Sequence, residues 1–122
     1  MATVELNKEN FEAEVSSSNM AVLDFWAPWC GPCKSFAPSY EAVSEAYPDT
    51  LFGKINTEVE QELGAHFNIR SIPTLMIIRD NVVLFSQAGA LPKEALADVI
   101  NQAQAIDMQQ VHAEIAASKQ DA

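Results

Sequence analysis

The chain is short of cysteine, glycine and positive charge. Two cysteines and four glycines occur among 122 residues, and 7 lysines and arginines face 17 aspartates and glutamates, a formal net charge of −10. So few basic residues exclude nucleic acid and anionic membranes as expected partners, because both need a basic surface. The acidic surplus serves solubility, and a docking preference for basic partner surfaces is the sharper alternative. No apolar run approaches the ~20 residues that span a bilayer. The N-terminus, Met1 to Glu9, lacks the basic-then-apolar pattern of a secretory signal, so a cytoplasmic location is expected. In that reducing compartment paired cysteines are redox-active or metal-binding rather than structural. With 48% apolar residues, the composition excludes disorder, and the length fits one domain with a real core.

Both cysteines lie in one stretch, Ala27-Pro28-Trp29-Cys30-Gly31-Pro32-Cys33-Lys34. It follows the apolar run Met20 to Ala27, which reads as a strand covered on both faces. Asp24 in the middle of that run is an anomaly, since a buried acid is costly without a partner or a proton. A helix is expected from about Cys33 to Tyr47, kinked by Pro38 and ended by Pro48-Asp49. A Cys-x-x-Cys pair at a strand-to-helix junction is where two thiols trade electrons with another disulfide. Zinc is the alternative, but a structural site needs about four ligands. The only imidazoles, His66 and His112, are far in sequence from the cysteines and from each other.

The other elements follow from local pattern. Thr3 to Leu6 reads as a short edge strand, and Asn7 caps a helix to about Val15, with Glu9 in its first turn and Phe11 and Val15 facing inward. Leu51 to Asn56 is a second interior strand with Lys54 as its charged member. Thr57-Glu58-Val59-Glu60 matches a capping box for a helix to about Phe67, striped by Val59, Leu63 and Phe67. Thr74–Arg79 and Val82–Phe85 form a hairpin across Asp80-Asn81, with Pro73 at the mouth of the first strand. After Gly89, Pro92 opens a last helix with Leu96, Val99, Ile100, Ala103 and Ile106 inward. Residues 107–122 continue a weak stripe through Val111 and Ile115, and are expected to run on or fray. Trp26, Met20 and Met76 read as core, Trp29 as surface, and His66 as a helix-face residue without a role. The order β-α-β-α-β-α-β-β-α predicts an α/β fold with helices on both faces of a largely parallel sheet, closed by an antiparallel hairpin. Cys30 then falls at the carboxyl end of a central strand, where open α/β sheets place their sites.

Taken together, Trp29-Cys30-Gly31-Pro32-Cys33, Asp24 six residues before Cys30, Pro38, Lys54, Ile72-Pro73-Thr74 and Gly89 make the chain resemble the thioredoxin family over about residues 1–106. The resemblance implies that family's fold: a central mixed five-stranded sheet flanked by four helices, here with residues 107–122 as a C-terminal extension. It implies a protein disulfide reductase that holds no bound cofactor and works through a redox-active Cys30–Cys33 disulfide. In the implied roles, Cys30 attacks as a thiolate favoured by the helix N-terminus, and Cys33 resolves. Asp24 accepts the proton, and Lys54 moderates its pKa. Gly31 allows close backbone approach and Pro32 stiffens the loop. Trp29, Ile72, Pro73, Gly89 and Ala90 form the substrate surface, with Pro73 in a cis peptide and the Ile72 backbone free to pair with an extended substrate. Implied partners are disulfide-containing client proteins and a flavoprotein thioredoxin reductase drawing on NADPH, with the chain as a monomer maintaining cell redox homeostasis. Three departures from the family's usual pattern are Asp80-Asn81 at the hairpin turn, Thr57 at a commonly apolar position, and the extension. The competing readings are an oxidase or isomerase, for which Gly31-Pro32 is the wrong pair, and a binding or chaperone-like module acting through its surface and extension.

Overall fold

The computed structural model describes residues 2–120. Met1, and Asp121 and Ala122 at the end of the expected extension, lie outside the described residues. In chain order the elements are β1 (Thr3–Glu5), α1 (Phe11–Ser16), β2 (Met20–Trp26), α2 (Gly31–Ala46), β3 (Leu51–Asn56), α3 (Gln61–His66), β4 (Thr74–Arg79), β5 (Val82–Ala88), α4 (Lys93–Ala105) and α5 (Met108–Gln120). The sheet order is β1-β3-β2-β4-β5. β1, β2 and β3 run parallel, β4 runs against β2, and β5 runs against β4. This is the mixed five-stranded sheet expected.

β2 is buried from Met20 to Phe25 because helices cover both its faces. Strand alternation sends Met20 and Val22 to one face, where they pack with Phe36, Tyr40 and Val43 of α2 and Leu96, Ile100 and Ala103 of α4. Ala21, Leu23 and Phe25 go to the other face, with Phe11 and Val15 of α1 and Leu63 and Phe67 near them. Asp24 falls on the α2 side by the same alternation. Tyr40 ties α2 to the sheet: its buried hydroxyl lies 3.0 Å from the Val22 carbonyl and 2.7 Å from that of Gly53 on the next strand. The hairpin turn has Asp80 and Asn81 at φ 54° and 63°, the two positive values a tight hairpin requires.

Several expected boundaries shift. The first helix starts at Phe11, not after Asn7, so Glu9 lies in the preceding turn. Asn7 and Asn10 instead exchange side-chain bonds with each other's N–H groups, at 2.7 and 2.9 Å, and build that turn. α2 begins at Gly31, two residues early. The capping box at Thr57 does not form: the Thr57 hydroxyl donates to the Trp26 carbonyl at 3.0 Å, and α3 starts only at Gln61. Val59 is therefore 70% exposed and not part of the inner stripe. β5 runs on to Ala88. The extension neither continues α4 nor frays through the described residues. Arg79 Nη1 donates to the carbonyls of Ala103, Gln104 and Ile106 at 3.0, 3.1 and 3.0 Å, closing the end of α4. Asp107 then accepts from the N–H groups of Gln109 and Gln110 at 3.0 and 3.3 Å, starting α5 afresh. Met108 is buried, and His112 Nε2 lies 3.4 Å from Asp80 Oδ2.

Gly53 on β3 leaves no room for a side chain. A Cβ there would collide with Cδ1 of the buried Leu6 and lie 3.3 Å from Cδ2 of Leu23. Gly53→Ala is expected to destabilise the fold by ~1–3 kcal/mol, the usual cost of overpacking, as a lower urea midpoint with an unchanged slope.

Candidate active site

The site forms where β2 hands over to α2. Cys30 N–H donates to the Ala27 carbonyl at 3.1 Å, turning the chain, and Cys30 then caps α2 from an extended backbone at φ −86° and ψ 111°. Its Sγ accepts the Cys33 N–H at 3.2 Å. Pro32 sits in the first turn, where its missing N–H leaves nothing unpaired. The two sulfurs are joined, with Cα atoms 5.3 Å apart. Cys30 is 5% exposed and Cys33 2%, whereas Gly31 and Pro32 face solvent. A Cβ on Gly31 would meet no other atom within 4 Å, so that side of the loop is open to an approaching partner.

The opposite wall comes from the loop before β4. The Ile72–Pro73 peptide is cis, and the Ile72 carbonyl oxygen lies 3.9 Å from Cys30 Sγ. The Pro73 carbonyl accepts the Gly89 N–H at 2.7 Å, and Gly89 has φ 97°, a conformation that favours glycine. Among the described residues the Ile72 N–H has no hydrogen-bond partner. Cys30, Ile72, Pro73 and Gly89 are thus brought together, with the exposed Ala90 next in chain. Trp29 is 67% exposed on the loop. Its indole N–H donates to Glu58 Oε2 at 2.7 Å. Sequence reasoning missed Glu58, because nothing local signals a contact across 29 positions.

Within β2 lies a buried acid. Asp24 is 1% exposed, and neither carboxyl oxygen has a hydrogen-bond partner among the described residues. Burial pushes its pKa up to about 7, against a smaller lowering by the Lys54 charge and a further rise from Glu5. Lys54 is Asp24's neighbour across β2 and β3, but makes no ion pair with it among the described residues. Its ammonium sits 4.7 Å from the Trp26 ring centroid instead, a cation–π contact. Glu5 faces Lys54 from β1, so a carboxyl, an ammonium and a carboxyl run across three strands. Glu5 was also missed, although its place in an edge strand beside the Lys54 strand was a usable signal. Trp26 is half-buried, less enclosed than a core residue, and its Nε1 is buried without a hydrogen-bond partner among the described residues. His66 is exposed at the end of α3 against Phe67, and His112 is on α5. Among the described residues no three histidine, cysteine or acidic side chains gather to hold a metal.

A closed pair of cysteines at a helix N-terminus, beside backbone with no partner among the described residues and following a strand that carries a buried acid, defines a thiol–disulfide oxidoreductase. The Thioredoxin family model matches residues 2–102. The candidate thioredoxin 2 of Streptomyces coelicolor is 54% identical over 115 residues, covering 94% of this chain and 86% of that protein. An alignment of that length extends past Ile106 into the extension. Thioredoxin of Bacillus subtilis is 40% identical over 102 residues, 83% of this chain and 97% of its own. Among solved structures, a thioredoxin f2 crystallised with ferredoxin:thioredoxin reductase superposes with a TM-score of 0.78 at 34% identity, covering 85% of this chain and 96% of that one. The chain belongs to the thioredoxin family. Its activity is protein disulfide reduction by dithiol–disulfide exchange.

The buried acid makes a pH prediction. Asp24 unfolded titrates near 3.8 but in the fold at about 7, so between these values the folded state binds the extra proton and stability falls as pH rises. At ~1.4 kcal/mol per pH unit, ionising Asp24 in place costs on the order of 4 kcal/mol. Asp24→Asn is expected to be more stable than wild type by about 2–4 kcal/mol at ~pH 8, with the difference vanishing towards ~pH 4. Paired denaturant titrations across that range check it.

Proposed function

We propose that Cys30 is the attacking thiolate and Cys33 the resolving thiol. The observation that carries this assignment is the N–H of Cys33 directed at Cys30 Sγ at the start of a 16-residue helix. Both the hydrogen bond and the helix dipole favour negative charge on that sulfur. The Cys30 thiolate attacks one sulfur of a client disulfide, and the second client sulfur leaves as a thiolate. The Cys33 thiolate then attacks Cys30 Sγ, releasing the first client sulfur and closing Cys30–Cys33. The client is reduced by two electrons and the protein oxidised by two. Asp24 takes the Cys33 proton, a role supported by its burial and its pKa near neutrality. Lys54 tunes that acid through space rather than by direct pairing.

The substrate lies extended across Ile72, Pro73, Gly89 and Ala90 beside Trp29, and pairs with the Ile72 backbone. The unpartnered Ile72 N–H supports this, and pairing through backbone admits many client sequences. A reductase must reopen the Cys30–Cys33 disulfide after each turnover. The related thioredoxin f2 meets a ferredoxin:thioredoxin reductase. For this chain the electron source is a flavoprotein reductase using NADPH, in a monomeric cytoplasmic electron carrier that maintains cell redox homeostasis. Residues 1–106 form the thioredoxin domain and 107–122 a C-terminal extension, helical over Met108–Gln120. No cofactor is needed beyond the disulfide. Among the described residues no helix is long and apolar enough to cross a membrane.

Dithiothreitol-driven insulin reduction, followed by turbidity, tests the activity. Wild type is expected to accelerate it, and the Cys30→Ser, Cys33→Ser double variant to give the uncatalysed rate. An unaccelerated wild type defeats the reading. Cys33→Ser alone is expected to accumulate a mixed disulfide with client, visible by non-reducing electrophoresis. In single-turnover kinetics Asp24→Asn slows release of that species by roughly 10-fold or more, the scale of a lost general base, and its formation much less. Equal effects on both steps would remove Asp24 from the proton transfer.

A further inference from the structure

A row of three charged side chains crosses the sheet, and the exchange chemistry uses only two of them. Glu5 on β1, Lys54 on β3 and Asp24 on β2 stand in register, so all three share one face of the sheet. Lys54 is therefore one strand from each carboxyl, ~4.8 Å on either side. It makes no ion pair with either among the described residues, and its ammonium lies 4.7 Å from the Trp26 ring centroid. The two acids differ in burial. Asp24 is 1% exposed, whereas Glu5 lies open on the edge strand. The exposed acid ionises first, so as pH rises the ammonium meets a negative charge on β1 before there is one on β2. From α2 come the two cysteines, Tyr40 and Glu41. The Tyr40 hydroxyl is spent on the Val22 and Gly53 carbonyls, and burial keeps its proton on. Glu41 accepts from the Thr3 hydroxyl at 2.7 Å and the Ala2 N–H at 2.9 Å. β4 and α4 present apolar side chains here, Leu75, Leu96 and Ile100. Glu5 and Lys54 are left as the charges that bear on Asp24.

We propose that Glu5 is a positioning residue for the exchange reaction: by holding the Lys54 ammonium off Asp24, it leaves that carboxyl basic enough to take the Cys33 proton. The inference rests on the proton-accepting role proposed above for Asp24. A buried carboxylate that closed on an ammonium would ionise readily and then be a poor base, because the pair stabilises its charged form. A charge on Glu5 opposes this in two ways. It competes for the ammonium from the opposite strand. It also disfavours a second negative charge at Asp24, two strand spacings or ~10 Å away. Both effects keep the proton affinity of Asp24 near neutrality, where a base serves best. With Glu5 neutral, the one acid left for Lys54 to answer in this row is Asp24. Glu5 itself touches no reacting atom.

The test is NMR of the aspartate carboxyl carbons in the oxidised full chain, with the Asp24 signal assigned by its loss in Asp24→Asn. Titrated from ~pH 4 to ~pH 9, Asp24 is expected to have its midpoint lowered in Glu5→Gln by about half a pH unit or more, the scale of one partly screened charge at this range. Glu5→Asp keeps a charge at the same strand position and is expected to recover most of that shift. In a Lys54→Met background the shift caused by Glu5→Gln is expected to fall below about half its size, because no ammonium remains to be released. In single turnovers, the acid limb of mixed-disulfide release moves down by the same interval in Glu5→Gln. An Asp24 midpoint that Glu5→Gln leaves in place overturns the proposal. So does a Glu5→Asp variant that behaves like Glu5→Gln. A shift that keeps more than about half its size without Lys54 also overturns it, since Glu5 would then be a distant charge and not a positioning residue. The titrations need no client and no turnover. An unaccelerated insulin assay, or equal effects of Asp24→Asn on both exchange steps, is a separate result that defeats the reductase or proton-transfer reading and leaves the measured midpoints standing.

Discussion

The structure depends on β2 having no solvent-facing side. Its two neighbours are β3 and β4, and α2 with α4 covers one face while α1 with α3 covers the other. A strand so enclosed can end only where the layers end, so its exit at Trp26 is where buried chain first meets water. The cysteines are placed there by that limit. Tyr40 reinforces it by linking α2 to carbonyls on β2 and β3, so the helix carrying Cys33 is bonded to the strand that delivers Cys30. Within hydrogen-bond distance of two carbonyls, the Tyr40 hydroxyl is buried in an apolar layer without being left unpaired.

The same enclosure explains Asp24. On an edge strand an acid would be hydrated and ionised, with no proton to exchange near neutrality. On β2 it is cut off from water and receives no hydrogen bond among the described residues, so desolvation outweighs the nearby ammonium. Lys54 would cancel more of that effect if it closed an ion pair. Its place over the Trp26 ring, with Glu5 on its far side, divides its field between two carboxyls and an aromatic face. The fold thus keeps an unstable acid where a paired one would be more stable and chemically inert.

What was legible in the sequence is what short-range chemistry decides. The continuous apolar run of β2, the Asp80-Asn81 turn and proline before β4 each carry their signal within a few residues, and the element order followed. The cysteine pair and the odd acid were visible because they break the local pattern. What stayed hidden turns on partners brought close only by the fold. Thr57 has the local form of a helix cap, yet the Trp26 carbonyl, 31 positions away, takes its hydroxyl. Lys54 looked like a partner for Asp24, but an aromatic ring on the neighbouring strand competes for it. The extension read as a weak stripe because its start is set by Arg79, on the far side of α4, closing three carbonyls that a continuing helix would have bonded.

Thr57 also shows that the reaction centre and its flank are built differently. The parts that act on sulfur are held by backbone: the Cys33 N–H on Cys30 Sγ, the Pro73 carbonyl on the Gly89 N–H, the cis peptide before Pro73. Backbone contacts of this kind survive most side-chain changes, so the reaction centre tolerates drift around it. The flank towards α3 is built from side chains: Trp29 held by Glu58, and Thr57 with its hydroxyl turned onto the Trp26 carbonyl. A polar residue at a commonly apolar position costs little there, because its one hydroxyl is satisfied inside the protein and its methyl faces Gly64 of α3. The departure of Thr57 from its family's pattern is therefore one of composition more than of surface.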